Sequence, residues 1–200
     1  MKERKNKKSS HCQGRPTRAQ LEQELERLRY RNRFALALKG TLFTLITVAA
    51  AAVLVAVLLL PVLQIYGTSM APTLSEGEIV LSVKGGSFET GDIVAFYYNN
   101  KILVKRVIAR AGQWVNIDED GHVYVDDVLI EEPYVTEPAF GDCNIELPFQ
   151  VPEARIFVMG DHRASSIDSR NTAVGCVAEE QVVGRIVFCV WPLADFGSID

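Results

Sequence analysis

Three short segments of this 200-residue chain carry side chains that could together support nucleophilic catalysis. The first is residues 67–74, which read GTSMAPTL. Gly67 permits a tight turn and Pro72 prevents a regular helix, so the turn can project the Ser69 hydroxyl into a cleft. A serine in a loop with Gly and Pro is more often an ordinary turn residue, so this segment alone leaves both readings open.

The second segment, residues 103–107, reads LVKRV and has the composition of a β-strand. Because side chains alternate along a strand, Lys105 shares a face with Leu103 and Val107, and Arg106 takes the other face. Apolar neighbours disfavour the charged amine and lower its pKa, which supplies a neutral base for a serine hydroxyl. The alternative, which the periodicity alone favours, is an edge-strand lysine whose stem lies on the sheet while its charge reaches water.

The third segment, residues 160–170, reads GDHRASSIDSR and concentrates polar and charged groups in a short loop. Within it, Asp168 and Arg170 can form an ion pair, and the loop can build a hydrogen-bonded platform. A solvated turn is the alternative reading of the same composition.

A long apolar run, residues 40–62, separates two parts of the chain that differ in charge. Residues 1–40 carry 12 Lys/Arg and 4 Glu, whereas the remainder carries 9 Lys/Arg and 21 Asp/Glu. The run has no charged residue, exceeds the apolar region of a secretory signal peptide, and reaches the ~20 residues that span a bilayer. We therefore predict an uncleaved transmembrane anchor with a cytoplasmic N-terminus and an extracytoplasmic domain after it.

Beyond the anchor, residues 63–200 show the pattern of short strands separated by turns. The expected strands are residues 78–83, 92–98, 101–110, 113–117, 122–125, 128–130, 155–159 and 181–191. This pattern predicts an all-β domain, either a sandwich or a barrel-like fold. Residues 131–153 contain four prolines and no periodicity, so we expect a long surface excursion there.

Residues 1–39 form the predicted basic cytoplasmic segment, of which residues 1–16 are expected to be disordered. Thr17 and Gln20 fit a capping box, and leucines follow at helical spacing at positions 21, 25 and 28. The short helix that they predict could extend the anchor, lie on the membrane face or form a homodimer through residues 17–33. The extension of the anchor is the favoured interpretation, so we expect a monomer, and the homodimer stays open.

The four cysteines do not identify a site. Cys12 is cytoplasmic in this topology, and Cys143, Cys176 and Cys189 lie in the extracytoplasmic part. Their spacing fits no zinc template, and a Cys143–Cys176 disulfide and free buried thiols both stay open. We expect no metal, no cofactor and no nucleic-acid partner.

Taken together, the segments resemble the motifs of type I signal peptidases, the bacterial serine/lysine class. In that family the nucleophile motif reads approximately SMxPTL, matched by residues 69–74, and GDIVxF is matched by residues 91–96. A KRV or KRI motif is matched by residues 105–107, and GDNRxxSxDSR by residues 160–170 with one exception. The resemblance covers residues 40–193 and implies a fold of the signal-peptidase and repressor-autoprotease type.

The resemblance also implies a role for each matching position. Ser69 corresponds to the nucleophile and Lys105 to the general base, and the backbone N–H of Ser69 would donate to the oxyanion. Ser166 corresponds to the serine that hydrogen-bonds and orients the lysine amine. The supporting positions are Asp161, Asp168, Arg170, Met70 and Arg106.

Two positions depart from the family pattern. Gly67 stands where some members have a serine whose hydroxyl is the second oxyanion donor, so the identity of that donor stays open. His162 replaces an asparagine. We do not expect a serine/histidine pair, because Lys105 already occupies the position of the base.

The implied function is the removal of signal peptides from preproteins after small-x-small sites such as Ala-x-Ala, at the bacterial cell membrane. The implied partners are those preproteins and the lipid bilayer. A cytosolic repressor-type autoprotease fits less well because of the anchor and residues 160–170. A sortase-like enzyme using Cys189 with His122 or His162 lacks the expected TLxTC context, and a non-enzymatic module would not need every motif.

Overall fold

The structure, a computed structural model of the chain, describes residues 17–199. The predicted disordered segment and Cys12 lie outside this range. Within the described range the chain divides into two compact units, separated between residues 54 and 55. The first unit consists, in its described part, of one helix, and the second is built from β-strands.

Helix α1 runs from Arg18 to Leu59 without a break. Its N-terminus is stabilised as the sequence predicts, because the Gln20 side chain accepts a hydrogen bond of 3.1 Å from the Thr17 backbone N–H. The leucine-bearing segment and the apolar run are therefore one continuous helix. By length and composition, α1 is the one helix among the described residues that could cross a membrane.

Twelve strands follow the helix. They are β1 (Val62–Gln64), β2 (Ile79–Val83), β3 (Ile93–Tyr98), β4 (Lys101–Arg110), β5 (Trp114–Ile117), β6 (Val123–Val125), β7 (Val128–Leu129), β8 (Phe149–Gln150), β9 (Arg155–Met159), β10 (Val177–Ala178), β11 (Val182–Trp191) and β12 (Gly197–Ser198). All eight predicted strands are present, and the all-β prediction is confirmed. Val62, which we placed in the anchor, belongs instead to β1, where it pairs with Leu81.

The strands form two sheets. The larger has the order β1-β2-β11-β3-β4-β9-β10, with β12 paired to β11, and the smaller has the order β7-β6-β5-β8. Every pairing is antiparallel. Strand β4 is central in the larger sheet, because β3 and β9 flank it on either side.

Three apolar clusters stabilise the sheets, and β4 contributes to each of them. Val104 packs with the cluster around Leu74 and Ile186, and Val107 lies in a second cluster with Phe96. Ile108 belongs to a third cluster, which joins the two sheets. Because β4 is covered on both faces, residues 105–109 are all buried, and the edge-strand reading of Lys105 is wrong.

Candidate active site

Ser69 and Lys105 meet although 36 residues separate them in sequence. The Lys105 Nζ–Ser69 Oγ distance is 2.6 Å, a short hydrogen bond. Ser69 lies in the predicted turn, where Gly67 adopts φ +83°, a value that favours glycine. Lys105 lies on β4 opposite Val94 of β3. The turn and the strand thus bring a hydroxyl and an amine together, as the spacing alone could not establish.

Burial changes the chemistry of Lys105. The residue is only 3% exposed, and desolvation lowers the pKa of its amine from 10.5 to about 8. Desolvation is the largest cause of this shift; the charges of Asp168 and Asp161 oppose it, and the charge of Arg170 adds to it. None of the ion pairs among residues 17–199 includes Lys105, so no adjacent carboxylate holds the amine in its charged form.

Arg106, the next residue on β4, forms a buried ion pair with Asp161. Its guanidinium binds both carboxylate oxygens of Asp161, at 3.0 and 2.9 Å. It also donates to the Gly91 carbonyl at 2.8 Å. Thr73, from the nucleophile turn, donates to Asp161 at 2.5 Å. Asp161 therefore links β4, the 160–170 loop and the turn that carries Ser69.

A second buried ion pair lies within the 160–170 loop. Arg170 binds both carboxylate oxygens of Asp168, each at 2.9 Å, and neither side chain is exposed. Burial opposes ionisation of Asp168, but the hydrogen bonds and charge of Arg170 outweigh it and hold the pKa of this carboxyl below its usual value. The predicted Asp168–Arg170 pair is confirmed.

Ser166 does not make the hydrogen bond that the family resemblance implied. Its hydroxyl is buried beside Asp168, whose pKa it helps to lower, and no hydrogen bond joins it to Lys105 among the described residues. The amine that it was expected to orient is hydrogen-bonded to Ser69 instead.

Gly160 allows the loop and the nucleophile turn to approach each other closely. A Cβ atom at this position would lie 2.3 Å from Ser166 Oγ and 2.4 Å from the backbone oxygen of Ser69. That same oxygen accepts a hydrogen bond of 3.1 Å from the His162 N–H. Only glycine fits between the two segments.

A third buried arginine connects the loop to residues 131–153, which we predicted to be a surface excursion. Arg163 forms a two-pronged ion pair with Glu132, one contact being 2.8 Å, and it is fully buried. Tyr134 stacks against the Arg106 guanidinium, with 3.8 Å between the guanidinium carbon and the ring centre. Sequence reasoning missed Glu132 and Tyr134. The available signal was an arginine, Arg163, left without an assigned partner.

A cleft of about 780 Å³ lies beside Ser69 and Lys105. Its walls are residues 63–67 and residues 100–105, together with Met70. Met70 itself is almost fully buried, in the cluster with Leu74. The apolar side chains in the cleft include Leu63, Ile65 and Leu103. Gly67 lies in the cleft wall and contributes no side-chain donor there.

The cysteine-based alternative has no support in the structure. Cys143, Cys176 and Cys189 are free thiols, so the possible disulfide is absent among the described residues. Burial raises the pKa of Cys189, and its nearest polar neighbours are Glu78 and the Trp191 carbonyl. Both candidate histidines bond elsewhere. Within residues 17–199 no cluster of metal-ligating side chains occurs.

The two histidines have local partners. His122 lies 3.3 Å from the Asp118 carboxylate, and the His162 ring lies 2.5 Å from the Ser165 hydroxyl. The backbone of His162 also closes a turn, because the N–H groups of Ser165 and Ser166 both donate to its carbonyl. His162 therefore shapes the 160–166 loop and does not contact Ser69 through its ring.

Comparisons identify known proteins to which this chain is similar. The family model described as signal peptidase, peptidase S26 matches residues 38–191. Signal peptidase I of Bacillus licheniformis is 33% identical over 182 residues, which cover 81% of this chain and 95% of that protein. Thylakoidal processing peptidase 1 of Arabidopsis thaliana is 37% identical over 146 residues, or 64% of this chain and 41% of that protein.

The chain thus spans about two fifths of the length of the thylakoidal relative. Among solved structures, a signal peptidase I from Enterococcus faecalis V583 is similar, with 27% sequence identity and a TM-score of 0.43. That match covers 50% of this chain and 97% of the other.

Proposed function

This chain belongs to the signal peptidase family, peptidase S26, and from that premise we propose that it is a serine endopeptidase that removes N-terminal signal peptides from secreted preproteins. The observation that carries the proposal is the 2.6 Å hydrogen bond between Lys105 Nζ and Ser69 Oγ at the edge of a cleft. A hydroxyl and a desolvated amine in this contact form a nucleophile and its base.

In the proposed mechanism, the neutral amine of Lys105 removes the Ser69 proton as Oγ attacks the scissile carbonyl carbon. The backbone N–H of Ser69 stabilises the developing oxyanion. The protonated amine then donates its proton to the departing amine of the mature protein. A water molecule, deprotonated by Lys105, hydrolyses the acyl-enzyme and releases the signal peptide.

The supporting residues position these two groups without taking part in bond changes. Asp161 and Arg106 tie the strand that carries Lys105 to the turn that carries Ser69. Asp168 and Arg170 hold the loop that carries Ser166. We propose that the buried Ser166 hydroxyl bonds to the amine during the reaction, once Ser69 has been acylated and its own contact with Lys105 is broken.

The cleft suits a peptide with small side chains near the cleaved bond. Its walls come from two extended segments, residues 63–67 and residues 100–105, and its lining includes Leu63 and Leu103. We propose that a peptide binds between these segments and places small residues against the apolar lining. Cleavage after small-x-small sequences such as Ala-x-Ala would follow.

We propose that α1 anchors the chain in the bacterial cell membrane with its N-terminus in the cytoplasm. The supporting observations are the apolar residues 40–59 and the Lys and Arg residues that precede them. Residues 1–39 would then be cytoplasmic. The extracytoplasmic peptidase domain would begin at residue 62, in β1, where we first placed the end of the anchor.

The test is cleavage of a purified preprotein with an Ala-x-Ala site by the full-length, detergent-solubilised chain. Ser69→Ala and Lys105→Ala should each abolish cleavage, because each removes one member of the pair. Cys189→Ala is the control and should retain activity, since the thiol has no histidine partner. Full activity in either of the first two variants would show that the proposed pair is wrong.

A further inference from the structure

Helix α1 is about twice as long as a membrane crossing requires. Its 42 residues span about 63 Å at 1.5 Å per residue. A hydrocarbon layer of about 30 Å takes about 20 residues, which the uncharged residues 40–59 provide. Residues 18–39 therefore continue the same helix beyond the hydrocarbon layer.

This outer part of α1 carries an apolar stripe with the spacing of a coiled coil. Leu21, Leu25 and Leu28 are separated by four and then three residues, and each is about half exposed. Asn32 and Ala35 continue the same spacing. A repeat of 3.5 residues is the signature of a helix that packs along a second helix, with leucines 21 and 28 at d and Leu25 at a.

The charges beside the stripe fit a second copy of the same helix. In this register Glu24 occupies a g position and Arg29 the following e position. In a parallel pair, the g residue of one helix faces the e residue of the other, so Glu24 meets Arg29 of the second copy twice. Within one helix, Glu24 contacts only Arg27, at 3.7 Å and well exposed, which is a weak competitor.

We propose that residues 21–35 of two copies of this chain form a parallel, two-stranded coiled coil just outside the membrane. Asn32, at an a position, would pair with its own counterpart and fix the register, as a polar residue in such a seam does. The parallel orientation follows because both helices continue into the same bilayer in the same direction. Confinement to the bilayer raises the effective concentration of the short helices.

A membrane surface is the rival partner for the leucine stripe. A helix that lies on the surface must turn sharply where it enters the bilayer. No break occurs in α1 between Arg18 and Leu59, so the outer part continues in line with the apolar part. The attraction between Glu24 at g and Arg29 at e also requires a second helix, which a membrane surface does not provide. This inference goes beyond the proposed function and does not depend on it.

Cysteine cross-linking in vesicles tests the contact. The full chain, with Cys12→Ser and Cys143→Ser, is reconstituted in phosphatidylcholine and phosphatidylglycerol vesicles and oxidised. Leu28→Cys should give about tenfold more disulfide dimer than Tyr30→Cys, because d residues meet across the seam and f residues point away. Equal dimer from both variants, or none from either, would overturn the proposal, as would cross-linking of Leu28→Cys only at high protein-to-lipid ratios.

Reversing the charges at positions 24 and 29 distinguishes pairing with a second copy of the helix from binding to a membrane surface or to another protein. Glu24→Arg and Arg29→Glu should each weaken Leu28→Cys cross-linking, because each creates like charges across the seam. The two variants, separately tagged and mixed, should cross-link to each other at least about fivefold more than to themselves, since both mixed pairs are attractive. Random mixing would overturn the proposal. Preprotein cleavage, unchanged in all variants, would show that the peptidase domain is folded.

Discussion

Lys105 and Arg106 are adjacent on β4 and almost equally buried, yet the structure handles their charges in opposite ways. Arg106 is 2% exposed and bound by both oxygens of Asp161, whereas Lys105 is 3% exposed and its amine contacts the Ser69 hydroxyl. The guanidinium therefore stays charged and paired. The amine loses hydration without gaining a carboxylate, so its pKa falls to about 8.

The other two buried arginines among the described residues, like Arg106, form ion pairs with carboxylates. Arg163 is paired with Glu132, and Arg170 with Asp168. Three buried guanidinium groups therefore have three carboxylates, and each pair joins separate parts of the chain or stiffens one loop. The difference shows that burial alone does not create a base: the amine must also lie beyond direct contact with any carboxylate that would restore its charge.

The largest expected effect comes from replacing Lys105 with a cation that cannot lose its proton. Lys105→Arg keeps the charge and removes the base, so preprotein cleavage should fall by about 10⁴-fold. The matched variant is Arg106→Lys, which keeps the charge of a partner whose role is structural. It should cost about 1–3 kcal/mol of stability through lost hydrogen bonds and reduce the cleavage rate by less than about tenfold.

These two outcomes are measured by cleavage kinetics and urea denaturation on the same preparations. A Lys105→Arg chain that cleaves at the rate of the original chain would contradict the comparison, because a permanent cation cannot accept the Ser69 proton. An Arg106→Lys chain that is as inactive as Lys105→Arg would place both residues in the same role.

A smaller effect is expected from removing a carboxylate from one of the buried arginines. Asp168→Asn leaves Arg170 charged and fully buried without its ion pair, which should cost about 3–5 kcal/mol of unfolding free energy. The control is Arg185→Gln, which breaks the half-exposed pair with Asp92 and should cost less than about 1 kcal/mol. Equal losses in urea denaturation would show that the buried pair has no special weight.

The smallest expected effect is the pH dependence of preprotein cleavage, which reports most directly on the pKa of the Lys105 amine. Because the pKa of Lys105 is about 8, only about 10% of the amine is neutral at pH 7. Preprotein kcat/KM should therefore rise about tenfold between pH 7 and pH 9 and then level off. A rate that is flat across this range, or that rises only near pH 10.5, would count against a desolvated base.

The same shift has a consequence for stability. The unfolded chain keeps its Lys105 proton up to about pH 10.5, whereas the folded chain loses it near pH 8. Between these values the unfolded state binds more protons, so the contribution of Lys105 to stability rises with pH. Below pH 8 both states are protonated, and the cost of burying the charge is fully present.

Sequence reasoning reached the strands and the two central residues by different routes. Alternation and turn signals located β4 and its neighbours, because a two-residue period is a local property of the chain. Local physics favoured an edge-strand lysine, and only the family resemblance singled out Ser69 and Lys105. Their proximity depends on β3 and β9 flanking β4, which is a long-range property.

The remaining features could not be read from local pattern. Residues 131–153 lack periodicity, so nothing in their sequence indicated that Glu132 and Tyr134 reach two buried arginines. The same segment supplies backbone carbonyls, those of Ala139 and Phe140, to Arg170. Ser166 was expected to bond to Lys105, but the structure shows the amine bonded to Ser69, and motifs do not encode such details of side-chain packing.

The tight contact at Gly160 limits how this chain could diverge. Position 69 comes from the nucleophile turn and positions 160 and 166 from the 160–170 loop, and they meet where one hydrogen atom fills the available space. A side chain at 160 would have to push Ser166 away or displace the turn of Ser69. Evolution of this chain is therefore closed to any side chain at position 160 for as long as the loop and the nucleophile turn keep their present separation.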